Sequence, residues 1–478
     1  MPYLTGFVLL VFCLILSGTQ VSCKKAVELT PPSTAISRDQ AYNSTASATA
    51  VLTGLYSNMF NIGFLQGSGG MSMALGLSAD ELVVYNKSNP LLLQLYANSL
   101  TSTNVPFWST LYKYIYDANA AVEGINQSTG LLPKVKSQLL GEAKFTRAFL
   151  YFYAVNLFGD VPLLTSSNYE TNAIASRTKT QTVYQQIAAD LLDAKGLLSS
   201  NFVSQDDTTV TSNRIRPTKW AAAALLARTY LFMQKWDSAS QQATEVINNS
   251  SLFTLTADLN NAFLANSSEA IWQLQSVQTS AGWATLDANN FILTRAPANS
   301  SSTPTALSLY LLNAFEPGDL RRIAWVDSIV ANAVTYYYPY KYKQKGGTGG
   351  VIVATENLML LRLSEQYLIR AEAKANTNDL AGASQDLNLI RTRAGLPNSS
   401  ATSQSDILQA ILHERQVELF TEQGQRWFDL KRTGSLDSVM ALITPSKNTT
   451  WSAYKSLFPI PLTDIQKDPN LKQNQGYN

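Results

Sequence analysis

Cysteine is almost missing from this chain of 478 residues: Cys13 and Cys23 are the only two, both at its beginning. The body after them can hold no disulfide framework, no thiolate metal site and no cysteine nucleophile. Histidine is scarcer still. His413 stands alone, which excludes any mechanism needing two imidazoles, zinc hydrolysis on an H-E-x-x-H helix among them. Charge is sparse as well, at 15% against the roughly 25% of ordinary globular chains, while 45% of residues are hydrophobic. That balance argues against disorder and against a coiled coil. Lys+Arg number 36 and Asp+Glu 34, a net charge of +2, so no basic surplus exists to track a phosphate backbone and nucleic acid is not an expected partner.

Nucleotide and acyl-transfer signatures are missing too. No Gly-Lys dipeptide occurs, so there is no phosphate-cradling P-loop. Gly67-Ser68-Gly69-Gly70 lacks the third glycine of a dinucleotide turn, and Gly70-Met71-Ser72-Met73-Ala74 is one residue short of a nucleophile elbow. Neither supports an enzyme, and no cofactor is expected.

What is present begins with an apolar run, Leu4 to Leu16, followed by small and polar residues up to Cys23. The run is too short to span a bilayer but fits the apolar region of a signal peptide. Residues 1–22 are therefore expected to be a lipoprotein signal peptide. Ser22-Cys23 resembles the bacterial lipobox, whose cysteine becomes the lipidated first residue, although Gln20 stands where leucine is usual and no Lys or Arg precedes the run. The alternative is plain secretion with a free thiol. Residues 23–40, with Pro31-Pro32, read as a lipid-anchored tether.

From about residue 41 helical spacing dominates. Ala46, Ala50, Leu52, Leu55 and Tyr56 share a face, as do Trp108, Leu111, Tyr112, Ile115, Asn119 and Val122. Gly63 to Gly76 is expected to be loop, because glycines recur through it. A helix containing Leu139 to Val155 should stop at Gly159, with Pro162 forbidding continuation. Further helices are expected at 183–198, 218–233, 236–248, 361–375, 380–394 and 405–420. Ala227, Ala239, Ser240 and Gln241 recur at one constant offset as Ala371, Ala383, Ser384 and Gln385. Small residues so placed let paired helices approach closely, the logic of a tetratricopeptide-type hairpin. Residues 251–356 differ: they are rich in Asn, Ser and Thr, carry Tyr336-Tyr337-Tyr338-Pro339 and Gly346 to Gly350, and contain Ile271 to Leu274 and Val351 to Val353 as short strands. Residues 435–478 are irregular again. The expected fold class is all-α: a tetratricopeptide-like helical hairpin array at about 41–250 and 357–434. Its loop-rich insertion, about 251–356, carries a few short strands and the ligand face, and 41–478 form a single domain.

Glu414, Glu418 and Glu422 recur every four residues beside Arg415 and Arg426. Carboxylates on one helix face among arginines are held ionised and paired, which suits a structural ion network better than acid–base catalysis.

That stretch, from His413-Glu414-Arg415 through Glu418-Leu419, Glu422, Gly424 and Arg426 to Asp429-Leu430-Lys431-Arg432, resembles the signature of SusD/RagB-type nutrient-binding outer-membrane lipoproteins. Other segments agree in order: Glu142 to Tyr153 with the stop Phe158-Gly159-Asp160-Val161-Pro162, Trp220 to Leu231, Leu361 to Ala373, Leu387 to Leu396, and Phe458-Pro459-Ile460-Pro461. Gln423 interrupts the usual Glu-Gly pair. The resemblance implies a surface-exposed, lipid-anchored protein of the cell outer membrane. Such a protein is non-catalytic, partners a SusC-like TonB-dependent transporter barrel, and captures an oligosaccharide for import. Arg147, Arg228, Arg391, Arg415 and Arg426 are expected to pair with Glu142, Glu365, Glu414, Glu418, Glu422 and Asp429 inside the scaffold.

Sugar capture needs exposed rings to stack on pyranose C–H faces, with amides and charged groups nearby for the hydroxyls. The expected contacts lie in irregular segments: Trp283 first, then Tyr85 with Asp80, Glu81 and Asn86, then Asn289, Asn290 and Arg295, then Tyr336 and Tyr338. Trp108, Trp220, Trp236 and Trp427 sit at helical spacing and are expected in the core. Two other readings stay open: capture of peptides, and cleavage of polysaccharide with Asp80-Glu81 as the carboxylate pair.

Overall fold

Apolar residues at helical spacing become the buried stripes of a helical array in the computed structural model, which describes residues 38–61, 64–276, 284–300, 302–346 and 353–477. The N-terminal half contains α1 (Thr45–Asn61), α2 (Met71–Ser78), α3 (Pro90–Tyr96), α4 (Trp108–Gln127), α5 (Pro133–Phe158) and α6 (Thr180–Leu197). After α7 (Lys219–Phe232) and α8 (Trp236–Ile247) comes the strand-bearing region, then α9 (Leu363–Asn376), α10 (Leu380–Arg393), α11 (Gln404–Glu418) and α12 (Gln425–Arg432). Trp108, Leu111, Ile115, Ala118 and Ile125 form the buried stripe of α4. Helix α5 lies between α4 and α6 and is buried on nearly every side from Gly141 onward, as its apolar surround requires. It ends where glycine permits a left-handed turn, at Gly159 with φ 73°.

The two hairpins read from the repeat are real. α7 packs on α8, α9 on α10, and α8 on α9. Gln234 and Asn378, at equivalent places in the two connections, both take left-handed backbone, with φ 56° and 66°. Ala227, Ala239, Ala243, Ile369 and Ala373 meet where the hairpins join, fully buried. Enlarging any of these alanines would overpack the contact, a change that usually costs about 1–3 kcal/mol.

Three expectations about elements fail, the first being that 435–478 is irregular, since it contains a helix at Leu436–Ile443 with Leu436, Met440 and Ile443 buried. Gly63 to Gly76 is not all loop: Met71 to Ser78 is a helix with every residue buried. Its glycine Gly76 is there for close approach, since a Cβ would stand 2.9 Å from Leu82 Cδ1. The helix expected from Leu361 begins instead at Leu363, because Leu358–Arg362 is a buried strand. A short apolar run cannot be told from a helix start by periodicity alone.

Strands β1 (Leu82–Val84), β2 (Ala270–Leu274), β3 (Thr305–Leu307), β4 (Val326–Ala331), β5 (Val334–Pro339) and β6 (Leu358–Arg362) pair antiparallel as β1–β3, β2–β6 and β4–β5. The β2 strand expected at Ile271 to Leu274 is thus present, and β6 is its partner. The Val351-Ile352 part of the other expected strand lies outside the described residues. The β4–β5 hairpin turns through Asn332-Ala333, both with positive φ, the twist that a two-residue hairpin requires. Among the described residues no helix is long and apolar enough to cross a membrane.

Candidate functional site

Helix α2 delivers the chain to Asp80-Glu81, and β1 then carries it outward to Tyr85 and Asn86. Pairing with β3 aligns Leu82 with Leu307 and Val84 with Thr305. The amides of Tyr85 and Asn86 both donate to the Pro304 carbonyl, at 2.7 and 3.2 Å. Tyr85 therefore projects from a held backbone. Its ring meets Tyr336 edge-on, centroids 5.7 Å apart at 80°, and Tyr336 stands on β5. Tyr96, at the end of α3, lies close enough to Tyr85 and Tyr310 for their phenols to bear on its ionisation. Tyr85, Tyr96 and Tyr336 are half-buried, and Tyr310 is 38% exposed. The result is a group of four partly exposed tyrosines, Tyr85 and Tyr336 in ring contact, with Tyr96 and Tyr310 nearby. Burial first, and then Tyr336, raises the Tyr85 phenol above its ordinary value, and burial likewise raises that of Tyr96.

Residues 295–300 and 302–304 border this group. Asn299 Oδ1 accepts from the Ser88 amide at 2.7 Å, and Arg295, exposed, donates to Ser302 Oγ at 3.4 Å. On β5 the pleat turns Tyr337 to the other face, where it lies under Arg322 at 4.5 Å.

The expected contacts are placed unequally. Tyr85, Tyr336 and Arg295 are accessible. Asn289 is half-buried, and its carbonyl accepts from Lys345 Nζ at 2.6 Å. Asn290, buried, donates to its own helix at Leu286 O. Asn86 is buried and holds the Ser88 amide. Tyr338 is 5% exposed, with its hydroxyl donating to Asp327. Asp80 and Glu81 lie inside. Arg426 donates to Asp80 at 2.9 and 2.6 Å, and Glu81 accepts from the Thr421 amide at 3.1 Å. Burial, then the neighbouring Asp80, pushes the Glu81 carboxyl up to about 8. A carboxyl pair so enclosed faces no cleft. Trp283 and Cys23 lie outside the described residues. Tyr96 and Tyr310 were not foreseen, because nothing in their local spacing sets them apart from core tyrosines.

Behind the face lies the ion network read from the signature helix, with partners only partly as expected. Glu418, fully buried, accepts from Arg321 at 2.9 Å, Arg362 at 2.5 Å and Arg393. Against the cost of burial, these arginines hold its carboxyl well below the ordinary range. Glu414 pairs with Arg321 and Arg391, and Glu422 with Arg362 and Lys341. Arg228 with Glu365 and Arg415 with Asp429 pair as expected. Arg147 instead takes Asp190, Glu142 takes Arg216, and Arg426 takes Asp80. These acids and bases are far apart in the chain, so helix spacing does not reveal them. Trp108 and Trp427 are in the core, whereas Trp220 and Trp236 are only half-buried.

Comparison with known proteins decides the family. A SusD family model matches residues 323–477, and one described as "Starch-binding associating with outer membrane" matches residues 36–231. The chain is a SusD-like family member. SusD-like protein P25 of Formosa agariphila is 26% identical over 96% of both chains. A SusD superfamily protein from Bacteroides vulgatus superposes with a TM-score of 0.79 over 91% of this chain and all of that one, at 20% identity. A protein titled "Laminarin binding SusD-like protein" superposes at 0.73 over 91% of this chain and all of that one, at 24% identity. The helical hairpin array is thus the SusD-like fold, and the family is one of starch- and glycan-binding proteins associated with the outer membrane.

Proposed function

We propose that this SusD-like chain captures a soluble oligosaccharide at the cell surface and passes it to a TonB-dependent transporter barrel, held to the outer membrane by acylated Cys23. The observation that carries the ligand class is the tyrosine group of Tyr85, Tyr96, Tyr310 and Tyr336: partly open rings gathered around a pinned strand and a hairpin. A pyranose offers an apolar C–H face to such rings and hydroxyls to their phenols, to Arg295 and to the loop beside Asn299. The enclosure of Asp80 and Glu81 removes the carboxylate pair on which a cleavage mechanism would have rested, and supports a binder without turnover.

Titration calorimetry with soluble starch, laminarin and a mixture of tryptic peptides tests this reading. Binding of one polysaccharide with Kd weakened in Tyr85→Ala is expected, together with no release of reducing ends. Binding of peptides alone would replace the ligand class; reducing ends released by the parent chain would replace binding by catalysis.

A further inference from the structure

A cavity of about 1010 Å³ opens between α1, the 203–216 connection and the end of β2. It shares no lining residue with the tyrosine group, and its size is that of a small-molecule site. Helix α1 presents a recessed wall to it. A Cβ added to Gly54, which lines the cavity, would meet nothing within 4 Å. The facing rim is amide-rich, with Gln205, Asn213 and Gln275. Gln205 and Gln275 are exposed and engage no described residue. Asn213 lends its Oδ1 to Asn266 at 3.1 Å and keeps its amide hydrogens.

The floor contains Arg216, 3% exposed, whose Nε is buried and has no hydrogen-bond partner. Its other nitrogens are committed to Glu142 at 2.6 Å, to Asp207 and to the Ser204 carbonyl at 2.7 Å. One guanidinium thus faces two carboxylates, and an anion gains nothing by approaching it. At the rim, Asp206 turns its carboxylate onto Ser204, Thr208 and Thr209, and most of its lone pairs are taken by these neutral donors. Exposed, unengaged amides beside a guanidinium and a carboxylate already held by the chain's own groups call for a ligand carrying many hydroxyls.

We infer that this cavity is a second binding site for an uncharged polyhydroxyl ligand, such as the end of an oligosaccharide, separate from the tyrosine face. The inference rests on the glycan-binding reading above. A chain with two sites would hold one polysaccharide at two points, and its apparent affinity would rise without any new contact at the tyrosines.

The test uses the full chain, maltoheptaose and laminarihexaose, with calorimetry and hydrogen–deuterium exchange read separately at residues 203–216 and 82–86. Tyr85→Ala should retain sugar-dependent protection of 203–216, and Tyr85→Ala with Gly54→Phe should lose it. Gln275→Ala, a rim change that leaves the fold untouched, should weaken the remaining site about tenfold, the loss of roughly one hydrogen bond; it carries the test if Gly54→Phe does not fold. Protection confined to 82–86, with Gly54→Phe titrating like the parent, would overturn the second site and leave the glycan reading standing. Protection of 203–216 by tryptic peptides and by neither sugar would overturn the ligand class of the cavity. No binding of either sugar by the parent chain would overturn both.

Discussion

Glu418 and Glu81 are both buried carboxyls, yet the regions around them treat charge in opposite ways. Around Glu418, at the end of the signature helix, residues 320–324, β6 and the end of α10 bring three arginines, and the acid is held ionised. Behind the tyrosine face, Glu81 has one backbone amide and an acidic neighbour, and it is held protonated near neutral pH. Burial is the same, and the number of facing cations decides the outcome. The first region is a scaffold whose charges are paired internally. The second holds Glu81 neutral beside an acid, Asp80, that has only Arg426 to pair with.

The largest effect should follow from breaking the first region. Glu418→Gln leaves Arg321, Arg362 and Arg393 without their shared acceptor, and unmatched buried charge of this kind commonly costs about 3–5 kcal/mol. Urea denaturation is expected to show that loss, with glycan affinity per folded molecule unchanged. Equal stability in the variant would mean that water enters the network and screens it.

Breaking the second region should do the reverse. Tyr85→Ala removes a central ring of the group, and truncating such an anchor typically weakens binding by about 2 kcal/mol, roughly thirtyfold. Because Tyr85 is only half-buried, unfolding should shift by less than about 1 kcal/mol. A variant that unfolds easily and binds normally when folded would assign Tyr85 to the scaffold instead.

The contrast between the two carboxyls sharpens with pH. Glu81 has its folded pKa raised from 4.5 to about 8, so between those values the unfolded chain has already lost a proton that the folded chain keeps. Stability then falls as pH rises from about 5 to 8, whereas below 4.5 both states hold the proton and no dependence remains. Glu81→Gln keeps the neutral shape and should flatten this slope, a difference on the order of 3–4 kcal/mol across the window. Glu418 lies on the other side, with a lowered pKa, and its contribution is lost only as the solution becomes strongly acidic. An unchanged slope in Glu81→Gln would show that Glu81 is ionised in the fold.

The scaffold was legible in the letters because its rules are local. Helical stripes, the stop at Gly159 and the matched alanines of the two hairpins follow from spacings of three and four, and the family signature sits on those helices. The ion network was legible in kind: acids every four residues beside arginines do end up buried and paired. Its partners were not, since Arg321 and Arg362 reach Glu418 from a short connection and a strand distant in sequence. The face was least legible. Tyr85 and Tyr336 stood out by lying in irregular segments, but Tyr96 and Tyr310 join them only through the packing of α3 and the approach to β4. Asp80-Glu81 misled for the same reason. A polar pair after a glycine-rich stretch looks exposed until α2 is seen to be a buried helix and Arg426 to close over it.

The smallest expected effect lies at the tip of the hairpin that holds Tyr336. Ala333 occupies left-handed backbone at φ 63°, where a Cβ costs roughly 1–2 kcal/mol. Glycine would relieve that strain, but it would also enlarge the freedom of the unfolded chain by about 0.5–1 kcal/mol. The first term exceeds the second, so Ala333→Gly should stabilise the protein by about 0.5 kcal/mol in thermal unfolding. The Asn-Gly pair it creates is the one two-residue hairpins prefer. If the tyrosine face binds as a preformed surface, the firmer hairpin leaves glycan affinity equal or slightly tighter. A weaker affinity would mean that Tyr336 must move to admit the ligand, and that the face, unlike the ion network behind it, works by yielding.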